Sequence, residues 1–473
     1  MKRSMKEEWK IVSDGLKKLY DEKLDSDKSY FDKYVRKTLE KRKKFLESSK
    51  KFGTPLYILD ETELEKRARY FVEIFKKEIS DIRFFYPFKC NDLPYVIAVL
   101  KKIGFNADVA GLFELELALK MRFEKIIFSG PGKSEEELKL ALRNKSRVII
   151  SVDNLDELER LRGLVKSATG KVKICFRVNP SDEISEAWSK FGLNLGELKI
   201  AIDRIRQESH FIWVGLHFHS SWNSTPERYV KNIELIGRFL KNTFKQSEMS
   251  NLEFLDIGGG FFPEAEGTLF KASSKGKLMT LLDSEGIPHK KNLDITDYSV
   301  EDPLEISVFA KEISKAINKH IRSLKKNIGI YCEPGRFITK HSTKIITEVL
   351  SLKKDGCIVD SGTHTMLGEN SLEEYEYAPV INLSNPSLKL NKFKIYGSLC
   401  APYDMWGFRY YGTKIERGDI LIILNQGAYT FSFAQRFIKP VAPYIVLTKN
   451  NKLIRIKERE RFKDRYRGCK MYT

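Results

Sequence analysis

The chain has 473 residues, 42% of them hydrophobic, and a formal net charge of +19 at pH 7, which predicts two or three domains with ample core. No apolar run reaches the roughly 18 residues of a membrane helix, and neither the N-terminus nor the six unpaired-looking cysteines suggest secretion, so we expect a cytoplasmic protein. The positive charge is scattered, which favours a solvated basic surface over a nucleic-acid or membrane interface.

The N-terminal extension, residues 1–48, is highly charged, and its sparse apolar residues recur at helical spacing. We expect one or two helices appended to the main fold. A short strand, "FGTPLYILD", follows at residues 52–60. A helical run then continues to about Lys77.

Between residues 83 and 335, eight apolar strand-like runs alternate with amphipathic helical runs. In chain order the strand-like runs are "RFFYPFK", "ADVA", "KIIFSG", "RVIISVD", "VKICFRVN", "IWVGLHFHS", "LEFLDIGGG" and "IGIYCEPG". Eight strand–helix units in about 250 residues are typical of a (β/α)8 barrel. A doubly wound open sheet is the alternative, but it would place its glycine loop after the first strand. In this chain the triple glycine follows the seventh run.

Two further regions complete the chain. Residues 263–303 lack a clear period and exceed a usual connection, so we expect an insertion over the barrel mouth. After residue 336, short runs rich in β-branched residues predict an all-β domain. The predicted boundaries are 62–328 for the barrel, and 49–61 together with 329–473 for the β domain.

Polar residues follow the predicted barrel strands at their carboxyl ends, where barrel active sites lie. Lys89 ends the first strand, His217 and His219 the sixth, and Glu333 and Arg336 the eighth. Each alone has an ordinary explanation, as a turn or a satisfied core residue. "HFH" is also a candidate metal pair, but further ligands at other strand ends are scarce, so we predict no metal.

The surroundings of Lys89 are apolar, with Phe84, Phe85, Tyr86 and Phe88 beside it. Burial lowers the pKa of a lysine and makes its amine nucleophilic. The glycines after the seventh strand allow backbone N–H groups to approach phosphate oxygens, and an arginine adds a charged donor. A nucleophilic lysine opposite a phosphate site predicts pyridoxal phosphate, with an acid at its ring nitrogen and an imidazole on its ring face.

The segment "YPFKCND" resembles the Tyr-x-x-Lys-x-Asn motif of the fold-type III pyridoxal-phosphate decarboxylases, which include diaminopimelate, ornithine and arginine decarboxylases. Further similar segments follow in the order of that family: "NADVAGLFELELAL", "FSGPGKSEEEL", "RVNP", "SKFG", "GLHFHSS", "LDIGGGF", "CEPGRF", "GSLC" and "GDILIILNQGAYTFS". The chain is most similar to diaminopimelate decarboxylase. The resemblance implies an alanine-racemase-like barrel with a β domain, an amino-acid substrate, and a homodimer with shared active sites.

The resemblance also implies a role for each matching residue. Lys89 would carry the cofactor through its amine, Glu333 would keep the ring nitrogen protonated, and His219 would stack on the ring. The phosphate would be held by five residues: Gly258, Gly259, Gly260, Arg336 and Tyr429. Cys400 would come from the partner subunit and help to protonate the carbanion left when carbon dioxide departs. Asp108 and Glu114 would support the site without taking part in the chemistry.

The chain departs from the family at the positions that bind the substrate. Ala401 stands where diaminopimelate decarboxylases have Glu and ornithine decarboxylases have Asp, the carboxylate that meets the distal ammonium. Asp404 is the candidate replacement. Arg436 stands where the family has a small polar residue, and "MLGENSLEEYEYAP" replaces a motif that grips a distal carboxylate.

Another departure lies near the expected phosphate site. Trp222 occupies the place of a phosphate-binding Ser, with Ser220 and Ser221 as candidate substitutes.

The gain of Arg436 and the loss of a carboxylate at Ala401 favour a substrate whose distal end is neutral or negative. We therefore expect an amino acid whose far amine is masked, such as a citryl–amino acid of siderophore assembly, with diaminopimelate decarboxylase as the alternative. Glu333 disfavours a racemase on the same fold, because such racemases place Arg at the ring nitrogen. The presence of Lys89, Glu333, Arg336 and Cys400 disfavours a non-catalytic regulator.

Overall fold

The described residues of the N-terminal extension form helices, and the second and third of these helices bury apolar side chains in the core. The computed structural model describes residues 5–21, 29–166, 170–180, 190–264, 266–270, 273–287, 297–301, 303–366 and 377–470. The extension contains α1 (Met5–Asp21), α2 (Asp32–Glu40) and α3 (Arg42–Phe52), and β1 (Leu56–Asp60) follows it. Phe31, Val35 and Phe45 are fully buried in an apolar cluster with residues of the β domain. This part of the extension is therefore not a detached arm.

Eight parallel strands close into a barrel, which confirms the predicted fold class. The strands are β2 (Ile82–Pro87), β3 (Asn106–Val109), β4 (Ile126–Phe128), β5 (Val148–Val152), β6 (Val172–Arg177), β7 (Phe211–His217), β8 (Phe254–Asp256) and β11 (Gly329–Cys332). The surrounding helices are α4 (Glu61–Glu78), α5 (Pro94–Ile103), α6 (Leu112–Lys120), α7 (Glu135–Arg143), α8 (Leu155–Val165), α9 (Leu195–Arg206), α10 (Glu227–Thr243) and α12 (Ile306–Ile317).

The barrel interior is a packed apolar layer that leaves polar groups only at its ends. Its side chains come from seven strands: Phe85, Ile127, Ile149, Cys175, Val214, Phe254 and Tyr331. The rings of Phe254 and Tyr331 stack at 4.1 Å. A Cβ at Gly215 would lie 2.3 Å from the Phe254 ring, so a glycine is required there for the layer to close.

Local sequence sets where the helices begin. Ser134 and Glu137 form a reciprocal capping box at the start of α7, and Asn194 and Glu197 form another at α9. Each box satisfies N–H groups that have no partner within the helix. The helices therefore begin immediately after the loops that follow the strands, which holds those loops at the carboxyl end of the barrel.

The insertion contains β9 (Glu266–Leu269), α11 (Ser274–Ser284) and β10 (Tyr298–Glu301), and β9 pairs antiparallel with β10. Tyr298 is buried, stacks on Tyr377 at 4.0 Å and meets the edge of Phe31 at 5.3 Å. The described part of the insertion thus packs on the extension and the β domain, whereas we expected it over the barrel mouth. Residues 288–296 lie outside the described chain.

The β domain is one nine-stranded sheet, in the order β13-β15-β16-β14-β17-β12-β1-β18-β19. Its strands after the barrel are β12 (Thr343–Leu352), β13 (Gly356–Val359), β14 (Val380–Asn382), β15 (Leu390–Tyr396), β16 (Met405–Tyr411), β17 (Ile420–Ile423), β18 (Tyr444–Leu447) and β19 (Leu453–Lys457). The short helices α13 (Arg336–Thr339), α14 (Thr363–Met366) and α15 (Phe462–Arg465) accompany them.

The strand pairings bear on two of the predicted domain boundaries. β1 pairs with β12 and β18, so the early strand joins the β domain. The predicted end of the barrel at residue 328 is too early, because β11 pairs with β8 and β2 and closes the barrel. No helix among the described residues is both long and apolar enough to cross a bilayer.

Candidate active site

A cavity of about 330 Å³ lies at the carboxyl ends of the barrel strands. Its described lining includes one carboxylate, Glu333, and three cationic side chains, Lys89, Arg177 and Arg336. His219 also lines it. An excess of cations in a partly enclosed cavity favours an anionic ligand.

Lys89 lies in a short 3-10 helix directly after β2, and its Nζ is 3.2 Å from Oδ2 of Asp108. Burial opposes the ammonium charge, but the carboxylates of Asp108 and Glu333 outweigh it and raise the pKa of Lys89 above its ordinary value. This corrects the expectation of a lowered pKa, because the lysine has charged partners within the barrel. Without a ligand, the amine is held as an ammonium.

Asp108 and Glu114 differ in their distance from the amine. Asp108 is almost fully buried and accepts a hydrogen bond from Ser129 Oγ in addition to its contact with Lys89. Glu114 accepts from the backbone N–H of Ala110 at 2.6 Å, and burial raises its pKa to about 7. Glu114 therefore binds the backbone of the loop after β3, whereas Asp108 contacts the lysine amine directly.

Glu333 follows β11 and is 1% exposed. Neither of its carboxylate oxygens accepts from an N–H or an alcohol hydroxyl among the described residues, and the neighbouring carboxyl of Asp256 is its side-chain partner. Burial raises the pKa of Glu333, and burial with the neighbouring charge of Glu333 raises that of Asp256 well above its ordinary range. Two adjacent buried carboxyl groups, one of them without donors, form a site for a ligand group that carries an N–H.

The two histidines after β7 have different surroundings. His219 Nδ1 accepts from the N–H of Gly259 at 3.2 Å, which assigns the proton to Nε2, 3.2 Å from Ser221 Oγ. His217 Nδ1 lies 3.2 Å from Ser151 Oγ. Burial lowers the pKa of both rings well below its ordinary value. Both imidazoles are therefore neutral.

The metal alternative also gains a third group from the structure. Ligand atoms of His217, His219 and Glu333 lie within 4.8 Å of one another. His217 Nε2 and His219 Nδ1 are each 3.7 Å from Glu333 Oε2. Two imidazoles and a carboxylate are a common set of metal ligands. Two of the three residues, His219 and Glu333, are also those expected at the cofactor ring, so a metal and the cofactor would compete for one site.

The three glycines after β8 do not contribute equally to the cavity. The N–H of Gly258 donates to Asp256 Oδ1 at 2.9 Å, and that of Gly259 donates to His219. Gly260 lines the cavity with a φ of +90°, and a Cβ there would lie 1.8 Å from the Ser220 carbonyl oxygen. Of the glycines predicted to hold phosphate, Gly260 is therefore the one at the cavity wall.

Arg336, Trp222 and Tyr429 form one wall of the cavity. The Arg336 Cζ lies 4.1 Å from the ring centre of Trp222 and 4.9 Å from that of Tyr429. The structure therefore brings Arg336 and Tyr429 together, as the sequence predicted.

Sequence reasoning missed Arg177 and the phenylalanines Phe191 and Phe433 of the lining. Arg177 ends β6, is 9% exposed, and lies 3.8 Å from Asp153 and 4.5 Å from the Phe191 ring. Phe433 also lines the cavity. The signal for Arg177 was present, since a charged residue ends an apolar strand, as Lys89 does.

The predicted substrate residues Ala401 and Asp404 lie outside the cavity lining. Asp404 is 3% exposed, and its oxygens accept from the N–H of Thr363 at 2.7 Å, the Thr363 hydroxyl at 2.8 Å and the N–H of Leu399 at 2.6 Å. These bonds shape the loop that carries exposed Cys400. Asp404 therefore has a structural role, which differs from the predicted contact with a substrate ammonium.

Arg436 also lies outside the cavity lining. Its Nε is 2.6 Å from Oε1 of buried Glu460, while its own side chain is 59% exposed. The replaced segment "MLGENSLEEYEYAP" lies mostly outside the described residues. Any contact of Arg436 with substrate requires a surface beyond this subunit's own cavity.

Comparison with known proteins identifies the family. The model of the family "Pyridoxal-dependent decarboxylase, pyridoxal binding domain" matches residues 62–340. A diaminopimelate decarboxylase of Methanothermobacter thermautotrophicus is 27% identical over 89% of this chain and 93% of the relative. An L-glutamyl-[BtrI acyl-carrier protein] decarboxylase of Niallia circulans is 25% identical over 85% of this chain and 90% of the relative.

Solved structures agree with the fold. A diaminopimelate decarboxylase from M. jannaschii in co-complex with L-lysine has a TM-score of 0.72, 23% identity, and coverage of 90% of this chain and 94% of that chain.

Proposed function

The chain belongs to the pyridoxal-dependent decarboxylase family and is a carboxy-lyase that uses pyridoxal phosphate; from this premise we propose that its amino-acid substrate carries no free distal ammonium. A masked or carboxylate-bearing distal end, as in a citryl–amino acid, fits this class. The Niallia circulans relative, by its name, acts on a glutamyl unit borne by a carrier protein. A substrate other than a free amino acid therefore has a precedent among the relatives.

The observation that carries this proposal is the hydrogen bonding of Asp404. Ala401 cannot bind an ammonium, and Asp404 is the nearby carboxylate that could replace the missing acid. Its three hydrogen bonds, two from Thr363 and one from Leu399, and its burial leave it no exposed oxygen for a substrate. A buried ammonium without a partner would weaken binding by about 2–5 kcal/mol.

The residues of the cavity fit pyridoxal phosphate. Glu333 has two buried oxygens without N–H or hydroxyl donors among the described residues, which suits a protonated ring nitrogen. Neutral His219 suits the uncharged ring face, and Arg336, Tyr429 and Gly260 suit the phosphate. Lys89 suits the aldehyde carbon. When bound, the cofactor supplies an electron sink for the pair that the departing carboxylate leaves behind.

The chain's own residues would position groups and move protons. Glu333, kept from water by burial, would hold the proton of the ring nitrogen. Asp108 would take the proton that Lys89 loses when its amine becomes nucleophilic. Cys400 would return a proton to the substrate α-carbon after carbon dioxide leaves.

The position of Cys400 supports a shared site in a dimer. Its thiol is exposed and does not line this subunit's cavity, so a role in the chemistry would require that it enter the cavity of a second copy. Mixing inactive Lys89→Ala and Cys400→Ala subunits should restore roughly a quarter of the wild-type activity, because half of the dimers then hold one intact site. Activity that stays absent after exchange of subunits would argue against the shared site.

Matched substrate pairs test the proposal. Purified protein loaded with pyridoxal phosphate would be given lysine or ornithine, and the same amino acids with the distal amine joined to citrate. We expect carbon dioxide from the conjugates at a kcat/KM at least about tenfold higher, since an unpaired ammonium is avoided. Release from the free amino acids alone would refute the masked distal end and leave the decarboxylase assignment intact.

Diaminopimelate decarboxylation is the second candidate, favoured by the 27% identical relative. Conversion of meso-diaminopimelate to lysine at a rate above that of any conjugate would establish it. Treatment with EDTA distinguishes the two decarboxylase candidates from a metal-dependent activity at the cluster of His217, His219 and Glu333. Carbon dioxide release should survive chelation, and its loss with recovery on metal addition would support the metal reading.

A further inference from the structure

The strongest feature without an assigned role is the pair of rings around Arg336. Trp222 and Tyr429 approach its guanidinium at 4.1 and 4.9 Å and both line the cavity. Both also have left-handed backbones, with φ of +59° and +56°. This conformation is unfavourable for bulky residues and persists only where the surroundings enforce it. Because both strained residues contact the Arg336 guanidinium, we infer that they act on it together.

Hydrogen bonds from the active-site loops hold both backbones in place. Next to Trp222, the N–H of Asn223 donates to the Gly260 carbonyl at 3.0 Å, and the Asn223 carbonyl accepts from Phe262 at 3.1 Å. The N–H of Tyr429 donates at 2.7 Å to the carbonyl of Cys90, the residue after the lysine. One ring is thus fixed to the glycine loop and the other to the lysine segment.

We propose that Trp222 is a positioning residue that, together with Tyr429, clamps the Arg336 guanidinium between two aromatic faces and directs its N–H edge at the cofactor phosphate. The inference rests on the proposed role of Arg336 in holding that phosphate. A flat cation stacked on its faces donates hydrogen bonds only from its edge. The rings also keep water from the faces, which strengthens the interaction with a phosphate dianion.

The partial exposure of Trp222 separates this role from simple core packing. Its side chain is 37% exposed, and its second aromatic neighbour, Phe262, lies 5.8 Å away. A ring that served only to fill the interior would be buried. Its open face makes Trp222 the outer side of the clamp, and Tyr429 makes the inner side.

A comparison of two ligands tests the clamp. Pyridoxal and pyridoxal phosphate share the ring and the aldehyde but differ in the phosphate. Dissociation constants for both would be measured by absorbance titration of full-length protein freed of cofactor. The variants are Trp222→Ala, Trp222→Phe and Trp222→Ser, with Trp9→Ala as the control, because Trp9 is exposed and absent from the cavity lining.

We expect Trp222→Ala to weaken pyridoxal phosphate binding about 3- to 30-fold and pyridoxal binding less than about twofold, which is the range of a lost cation–π contact. Trp222→Phe should keep most of the affinity for the phosphate ester. Equal weakening of both ligands, or no change in either, would overturn the clamp. Tighter binding of pyridoxal phosphate by Trp222→Ser would also overturn it, since a hydroxyl would then serve the phosphate better than the ring.

Two further results keep the clamp and the proposed function apart. Wild-type protein that fails to bind pyridoxal phosphate would count against the cofactor site itself. If circular dichroism shows that Trp222→Ala does not fold, the ratio of the two affinities in Trp222→Phe decides the question. The quantity compared is the affinity for pyridoxal phosphate divided by the affinity for pyridoxal. If this ratio is more than about tenfold lower in Trp222→Phe than in wild type, the clamp is contradicted, because the retained ring should keep most of the cation–π attraction.

Discussion

The buried ion pair between Lys133 and Glu157 gives the sharpest stability prediction. Both side chains are fully buried, and the Lys133 ammonium donates to Glu157 Oε1 at 2.8 Å and to the carbonyls of Gly130 and Ser151 at 2.6 and 2.7 Å. Gly130 lines the cavity, and Ser151 contacts His217. The pair therefore braces two strand ends beneath the site.

Substitution Lys133→Met removes the charge and leaves a buried carboxylate and two carbonyls without their donor. Loss of one partner of such a pair costs about 3–5 kcal/mol. Burial already raises the pKa of Glu157, so the variant can protonate this carboxylate. The loss should therefore be smaller at pH 6 than at pH 8. In the double variant Lys133→Met/Glu157→Leu, at least about 1 kcal/mol should be recovered, because no uncompensated charge remains.

Urea unfolding followed by circular dichroism measures these free energies. Lys139→Met, on the helix that follows Lys133, is the matched control, because the Lys139–Glu135 pair is exposed and its loss should change stability by less than about 0.5 kcal/mol. The reasoning fails if Lys133→Met costs less than about 1 kcal/mol, or if the double variant is as unstable as the sum of its single changes.

Three further outcomes follow from the site and its surroundings. Asp108→Asn should lower the pKa of Lys89 and shift cofactor capture, followed by absorbance, to lower pH; an unchanged midpoint would contradict the ion pair. Burial opposes ionisation of Glu264, but Arg67 outweighs it and lowers the pKa of Glu264 to about 2. The ion pair therefore stabilises the fold at pH values above the unfolded-state pKa of about 4.3, and this stabilisation is lost as the pH falls towards 2. Because Glu264 is 41% exposed, wild type should lose only about 1 kcal/mol more than Glu264→Gln over that window in acid unfolding. Cys400→Ala should reduce carbon dioxide release roughly 100-fold and leave cofactor absorbance unchanged, and full activity would exclude its proton transfer.

The barrel and its lysine were predictable because both depend on local pattern. Each strand is a short apolar run, and Lys89 stands out as a charge within one of them. Arg177 was missed because the same signal was interpreted as part of a continuous strand. The raised pKa of Lys89 could not be predicted, since it depends on Asp108, which lies 19 residues away along the chain.

The substrate loop shows the same limit. The role of Asp404 depends on Thr363, 41 residues away, and a sequence gives no indication of such a contact. The end of the barrel at residue 328 was placed too early, because β11 begins only at Gly329, and α13 with a short 3-10 turn separates it from β12 of the β domain. Local patterns therefore identify strands, whereas partners that meet across loops require the fold.

The burial of Phe31, Val35 and Phe45 determines how this protein can be shortened. A variant that starts at residue 53 would expose Tyr298 and Tyr377 and leave an apolar depression on the sheet. This truncated enzyme would aggregate even though its catalytic barrel is complete. The segment from Phe31 to the end of α3 therefore covers apolar surface of the β domain, and any engineered form has to retain it.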